Sequence, residues 1–347
     1  MYIKKILVAI AILGTIAMAI FAYFVYTAVF SPNTKFQDEK VNVYIPTDAT
    51  YVEVREELQP LLNDLVSFDR VAEKKRYIGN IKPGHFILRK GMNNNEIVNT
   101  LRSTNIPVSV IFNNQERVEE LAGRISEQIE ADSLSLLKAM NDSVFLKKHN
   151  FDQENRLSLF IPNKYEFYWN TSAEEFVERM AKEYDRFWNA ERMRKAKKIG
   201  LTPQEVSVLA SIVQKETAKV SERPRVAGVY MNRYNIGMKL DADPTVIFAV
   251  KKSTGNFDTI IKRVLYKDLK TDSPYNTYIN AGLPPGPIAM PDISSIDAVL
   301  NYEDHDYFYF VSDVQNFGYH KFAENLRQHN NNKKEYVAWL QEKNINR

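Results

Sequence analysis

Thr202 to Lys219 reads TPQEVSVLASIVQKETAK. Thr202 and Glu205 have the spacing of a capping box, and Pro203 occupies the first helical position, so the start of a helix is fixed here. At about 100° per residue, Val206, Leu209, Ala210 and Val213 fall on one apolar stripe. Glu216 lies three residues past Val213 and joins that stripe, whereas Gln214 and Lys215 point elsewhere. A carboxyl on an apolar face is costly unless it is paired or protonated, and a general acid at neutral pH needs such a setting. A plain ion pair to Arg223 or Arg225 would place an acid there equally well. Helix geometry alone leaves both readings open.

Downstream, two stretches carry hydrogen-bonding groups and a third is rich in proline and glycine. Asp241-Ala242-Asp243-Pro244-Thr245 holds two carboxylates in five residues. It lacks the length and spacing of an EF-hand loop, though oxygen ligands of this kind can hold a divalent cation. It also suits a turn that aims Asp243 and Thr245 at a substrate, or a simple Asp-Pro turn that caps a helix. Tyr275-Asn276-Thr277-Tyr278 offers hydroxyls, an amide and aromatic faces, groups that suit sugar rings. Gly282-Leu283-Pro284-Pro285-Gly286-Pro287 would stiffen the neighbouring chain, and a Pro-rich structural turn is the alternative for the whole stretch.

Composition narrows the chemistry. The chain has 347 residues, of which 44% are hydrophobic, enough for one large core or two smaller ones. A net charge of +3 gives no indication of nucleic-acid binding. With no cysteine, disulfides, Cys-ligated zinc and a thiol nucleophile are excluded. The histidines are His85, His149, His305, His320 and His329, and none sits in an HExxH arrangement. His305 and His320 are candidates to meet across a late hairpin. No G-x-S-x-G elbow, Walker A loop or G-x-G-x-x-G loop is present.

The N-terminus indicates a membrane. Lys4 and Lys5 precede an uncharged apolar run from Ile6 to Phe30, longer than the ~20 residues that span a bilayer. Tyr23, Tyr26 and Phe30 lie at its far end, where interfacial aromatics belong. A cleaved signal peptide has a shorter apolar core of about 7–15 residues, and TAVFSPN is a poor cleavage site. The expectation is an uncleaved single-pass anchor, with residues 1–5 cytoplasmic, residues 6–30 in the inner membrane and everything beyond outside it.

Residues 31–40 read as a polar linker. Val41–Ile45 reads as a strand, Tyr51–Leu62 as a helix, His85–Leu88 as a strand after the Lys82-Pro83-Gly84 turn, and Asn95–Leu101 as a helix. Together they make a small α+β module over 41–105. A larger mixed α+β domain follows over 106–347. In it, Val108–Phe112 is a strand, Leu159–Tyr168 an aromatic, Pro-broken stretch, Ser172–Met180 a helix and Arg223–Tyr234 another. Tyr307–Val311 and Tyr319–Phe322 make a hairpin across Asn316-Phe317-Gly318. Asn235–Pro244 reads as a loop, as do the asparagine runs at 93–95 and 330–332. Arg192, Arg194, Lys195, Lys197 and Lys198 suggest either a solvated helix face or a surface for an anionic polymer.

Read together, these segments resemble the MltG (YceG-like) endolytic murein transglycosylases. Leu209 to Thr217 is similar to the family's active-site helix. The match runs on through Ser221-Glu222-Arg223, Val226 to Arg233, Ile236 to Leu240, Asp243 to Val246, Tyr275 to Tyr278, Gly282 to Ile288 and His320-Lys321-Phe322. Family members often carry Glu-Lys-Glu in the active helix, and here the first acid is Gln214, which leaves Glu216 as the corresponding catalytic acid. Leu159–Tyr168 looks like a looser form of the family's Pro-aromatic segment.

The resemblance implies an inner-membrane enzyme with its catalytic domain in the periplasm, cutting peptidoglycan glycan strands internally without cofactor or metal. It implies that 41–105 is LysM-like and that 106–347 is the catalytic domain. It implies cleavage of the β-1,4 bond between N-acetylmuramic acid (MurNAc) and N-acetylglucosamine to give 1,6-anhydro ends, with Glu216 as acid and then base. Nascent strands are the expected substrate, so that cleavage ends their elongation. Asp243, Thr245, Tyr275, Asn276, Thr277 and Tyr278 are the expected substrate contacts. Peptidoglycan synthases of the elongation or division machinery are the expected partners. A muramidase-type hydrolase using Asp243 to activate water is an alternative reading. A membrane-tethered scaffold that binds glycan without cutting it is another, and a metal-dependent hydrolase is more distant.

Overall fold

The computed structural model describes residues 2–343 as a mixed α+β chain in two compact units. The first comprises residues 1–110 with the short segments 128–131 and 165–172. It begins with α1 (Tyr2–Phe30), the one helix among the described residues long and apolar enough to cross a membrane. Next come β1 (Lys40–Ile45), α2 (Tyr51–Leu58), α3 (Leu65–Lys74), β2 (Gly84–Arg89) and α4 (Asn94–Leu101). β1 and β2 pair antiparallel, Val43 opposite Phe86 and Ile45 opposite Gly84. Val43 and Ile45 alternate inward, as period two requires, and meet Leu58, Phe68, Leu88 and Leu101 in one core. Capping boxes at Thr50/Glu53 and Asn93/Glu96 start α2 and α4.

Polar composition is misleading at two places in this unit. Residues 31–40 are stitched down rather than trailing free. Buried Asn33 donates to Asp64 O (2.8 Å) and Asn94 Oδ1 (2.6 Å) and accepts from Asp64 N (2.7 Å). The asparagines at 93–94 are not loop filler, because Asn93 caps α4 and Asn94 is buried in its first turn.

The second unit comprises residues 111–127, 132–164 and 173–347. The chain passes between units within β3 (Val108–Phe112) and β4 (Asn163–Phe167), which pair with each other. α5 (Val118–Ser126), α6 (Ser133–Met140) and α7 (Ser143–Lys148) lie between them in sequence. After β4 come α8 (Ala173–Phe187), α9 (Ala190–Lys198), α10 (Pro203–Glu216), α11 (Arg223–Asn235), α12 (Asp243–Thr254) and α13 (Ile293–Leu300). β5 (Tyr309–Ser312), β6 (His320–Ala323) and α14 (Leu326–Glu342) close the chain. The β5–β6 hairpin forms where expected, with Gly318 at φ +84° in its turn, a conformation glycine takes without strain. The asparagines at 330–332 belong to α14, whose polar sequence hides the helix. In the basic stretch of α9, Arg192 bonds Asp297 and Lys195 pairs with Glu191.

The unit is organised around α10. The Thr202–Glu205 capping box forms, but the helix is not amphipathic. Every residue from Val206 to Val213 is buried, and the helix packs on α9, α11, α12 and α13. Two serines make this possible by turning their hydroxyls back to the helix, Ser207 to Pro203 O (3.0 Å) and Ser211 to Val208 O (2.7 Å). Glu216 is thus the end of a core helix rather than an odd residue on a surface one.

Candidate active site

Glu216 closes α10 at the wall of a cleft of about 420 Å³. Its neighbours come from several other elements. α11 supplies Tyr230 and Arg233, the 241–245 turn supplies Asp241 and Asp243, the 275–278 loop supplies Tyr278, and β6 supplies His320. α14 contributes His329, Lys333 and Tyr336.

No ion pair to Glu216 occurs among the described residues. Arg223 bonds both carboxylate oxygens of Asp292 at 2.9 Å, and Arg225 bonds Glu303. Glu216 Oε1 instead accepts the O–H of buried Tyr230 at 2.6 Å. Burial is the dominant influence on its carboxyl and raises the pKa from 4.5 to about 6. The Tyr230 hydrogen bond and the charges of His320 and Arg233 pull it down, and the charge of Asp243 pushes it up. The negative end of the α10 dipole also disfavours the anion. The side chain keeps partial exposure to the cleft, so its carboxyl is dry on the protein side yet reachable by a ligand.

Gln214 has a different task. Its Oε1 accepts Asp292 N (2.6 Å) and Ser295 Oγ (3.1 Å), and its Nε2 donates to Met290 O (3.3 Å). An amide can do both; a carboxylate cannot donate. The residue couples α10 to the start of α13 and does not line the cleft.

The residues expected to bind substrate divide into groups. Asp243 and Tyr278 line the cleft, joined by Tyr278 O–H to Asp243 Oδ1 at 2.7 Å. Thr245 and Thr277 are buried against each other at 2.8 Å, and Ala242 N donates to Thr277 Oγ1 at 3.0 Å. Buried Asn276 donates to Leu269 O (3.0 Å) and Thr271 O (2.9 Å) and accepts Tyr278 N (3.0 Å). Together they fasten the start of α12, which carries Asp243, to the loop that carries Tyr278. Tyr275 turns to a second cleft of about 190 Å³, where its O–H meets Glu154 at 2.8 Å. Gly286 lies against this point, and a Cβ there would sit 1.9 Å from Glu154 O, which accounts for glycine within the Pro-rich run.

Tyr230, Arg233 and α14 were not singled out as site residues from sequence. Tyr230 lies on a helix buried on most sides, where no stripe marks a special face. Arg233 is equally buried and bonds Phe308 O (2.6 Å) and Leu240 O (2.7 Å), tying the cleft walls together. The two hairpin histidines do not meet each other: His305 Nε2 contacts Arg225 O and His320 Nδ1 contacts Glu222. Among the described residues, no group of three or more His, Asp or Glu is placed to hold a metal ion.

Two substitutions should move the Glu216 titration in opposite directions. Tyr230→Phe removes a hydrogen bond to the anion, so the pKa should rise, by about one unit for a bond to a charge. Asp243→Asn removes a negative neighbour, so it should fall, by about half a unit given the exposure of Asp243. An NMR titration of the Glu216 carboxyl carbon checks both, and shifts of the same sign would contradict this account of the site.

Comparison with known proteins agrees with this architecture. The model of the YceG-like family matches residues 43–335. An endolytic murein transglycosylase of Bacillus subtilis (strain 168) is 27% identical over 336 residues, covering 91% of this chain and 90% of the relative. One of Streptococcus pneumoniae serotype 2 is 26% identical over 328 residues, covering 86% of this chain but only 58% of the longer relative. The crystal structure of a yceG-like protein from Listeria monocytogenes superposes with a TM-score of 0.56 at 27% identity, covering 85% of this chain and 99% of that one. The chain belongs to the YceG-like family.

Proposed function

We propose that this chain is a membrane-anchored endolytic murein transglycosylase that cleaves the MurNAc-β-1,4-GlcNAc bond of glycan strands and leaves 1,6-anhydro-MurNAc ends. The observation that carries this reading is the Glu216 carboxyl, held near pKa 6 by burial and open to a cleft. Relatives called endolytic murein transglycosylases support it, aligned over 91% and 86% of this chain. Protonated Glu216 donates to the bridging oxygen as the C1–O bond of the muramic acid breaks. The C6 hydroxyl of the same sugar then attacks C1, gives up its proton to a base in the cleft and closes the anhydro ring. An ordinary glycosidase needs a second carboxylate to act as nucleophile or to activate water. Here the substrate supplies its own nucleophile, which suits a site with one carboxyl adapted as a donor.

Asp243 and Tyr278 are the sugar contacts in this reading. The negative charge of Asp243 both favours the protonated Glu216 and stabilises an oxocarbenium-like transition state. Thr245, Asn276 and Thr277 position that pair, and Tyr275 braces the loop from behind. The apolar helix α1 would anchor the enzyme in the inner membrane with Lys4 and Lys5 cytoplasmic and the rest periplasmic. Residues 41–105, which lie in a unit with its own core, would act as a LysM-like glycan grip. Peptidoglycan synthases are the partners this placement favours.

Mass spectrometry of products released from purified sacculi tests the reaction. Anhydro ends are expected. Products heavier by one water would mean a muramidase-type hydrolase that uses Asp243, and glycan binding without release of fragments would mean a scaffold.

A further inference from the structure

The cleft holds a second proton-transfer group with the fittings of a general base. His320 leaves the turn of the β5–β6 hairpin and lines the same cleft as Glu216, near enough for its charge to act on that carboxyl. It is clamped by Glu222, whose side chain is only 3% exposed. Glu222 Oε1 accepts the His320 backbone N–H at 2.6 Å, and Oε2 faces Nδ1 at 2.9 Å. The ring of Phe310 packs edge-on against the imidazole, with centroids 5.0 Å apart. An anionic Glu222 can only accept, so Nδ1 carries the proton, and the lone pair of the neutral ring is then on Nε2. No protein group hydrogen-bonds Nε2 among the described residues. A buried carboxylate that fixes the tautomer and orientation of an imidazole facing a substrate cleft is the arrangement that makes histidine a base in acyl transfer.

Within the transglycosylase reading, on which this inference rests, we propose that the two proton transfers are divided between two residues: Glu216 is the acid and the Glu222-held His320 is the base. Glu216 gives its proton to the bridging oxygen as that oxygen leaves C1. The C6 oxygen forms the new bond to C1, and its proton passes to His320 Nε2. The products leave Glu216 as carboxylate and His320 as imidazolium, and water in the cleft returns the proton from one to the other. No water molecule is consumed, so the anhydro product is retained. Asp243 is less suited to the task, because its carboxylate already accepts the Tyr278 hydroxyl.

The test is steady-state release of anhydro ends by wild type, His320→Gln, His320→Ala and Glu222→Gln, with glycan binding and thermal unfolding measured for each. In His320→Gln the side-chain amide can still donate to Glu222 but cannot take a proton. Its kcat should fall about 10²–10³-fold with KM within about threefold, the range of a lost base. His320→Ala should lose as much and recover in part on adding imidazole, a rescue that a packing role would not allow. Glu222→Gln should give a smaller loss in kcat at unchanged glycan binding. A His320→Gln enzyme with more than a third of wild-type kcat overturns the proposal, as does a loss confined to KM or a folded His320→Ala that imidazole does not rescue. If His320→Ala does not fold, the kcat of His320→Gln decides. Failure of wild type itself to make anhydro ends would overturn the reaction rather than this division of labour.

Discussion

Glu216→Gln is expected to lower the release of anhydro ends by about 10³-fold or more while the protein stays folded. The amide has the shape of the acid and its oxygen can still accept the Tyr230 hydroxyl, so that buried O–H keeps its partner. What disappears is the proton. The bridging oxygen is a poor leaving group without one. Burial also raises the Asp241 carboxyl at this cleft, but the charges of Arg233 and Lys239 pull it back down. The same assignment fixes a pH profile. A carboxyl with pKa near 6 is protonated below that value and ionised above it. The kcat/KM of wild type should therefore fall tenfold per pH unit on the alkaline side, with an apparent pKa of about 6. Product analysis of wild type and Glu216→Gln side by side, with circular dichroism to confirm folding, makes the measurement. Near-wild-type release by the Gln variant, or a flat profile between pH 5 and 8, would remove Glu216 from the role of acid.

Arg223→Ala should cost about 3 kcal/mol, at the low end of the range for breaking a buried ion pair because Asp292 keeps some exposure. Arg223 is the buried member, with a side-chain exposure of 7%, and it bonds both oxygens of Asp292 and the Ser294 hydroxyl. Its Nε also reaches Thr217 O, the residue after Glu216. Asp292 caps α13 through Ser295 N, so the arginine links the end of α10 to the start of α13. Asp292 would lose its counter-charge, and its carboxyl, held low by Ser294 and Arg223 against burial, would rise toward the ordinary range. The melting temperature should drop by roughly 6–12 °C, by the scaling for a unit of this size. Arg225, two residues on, is the control. Its pair with Glu303 is 46% and 42% exposed, and Arg225→Ala should change stability by less than about 1 kcal/mol. Equal losses at the two arginines in thermal unfolding would refute the distinction.

Local rules carried the reading a long way. The capping box at Thr202, the β5–β6 hairpin around Gly318, the first strand pair and the apolar α1 all depend on neighbouring residues and were legible as such. Among the helices that were missed, α12, α13 and α14 begin among Asp, Pro and Asn or run through asparagines and lysines. Their stability comes from what they pack against, which a window of sequence does not contain. Glu216 does have a buried carboxyl, but not because it joins the apolar stripe of a surface helix. The stripe argument assumed a helix with a solvent face, and α10 has almost none, because its serines satisfy themselves against their own backbone.

The motifs around Asp243 and Tyr275–Tyr278 show the same division. Their polar composition marked them as special, and composition has no direction. Thr245, Asn276 and Thr277 spend their hydrogen bonds inward on backbone and on one another, while Asp243 and Tyr278 turn out to the cleft. The sequence by itself determined where α10 starts, where the β5–β6 hairpin turns and that one apolar helix leads the chain, and it singled out Glu216. Only the tertiary structure decided that Glu216 meets Tyr230 rather than an arginine, that Gln214 serves the fold, and that Glu222 holds His320 at the same cleft. A hydrogen bond between residues far apart in the chain is set by how whole helices pack, and burial, which raises the Glu216 pKa, is a property of everything around the residue and of nothing in its own neighbourhood of sequence.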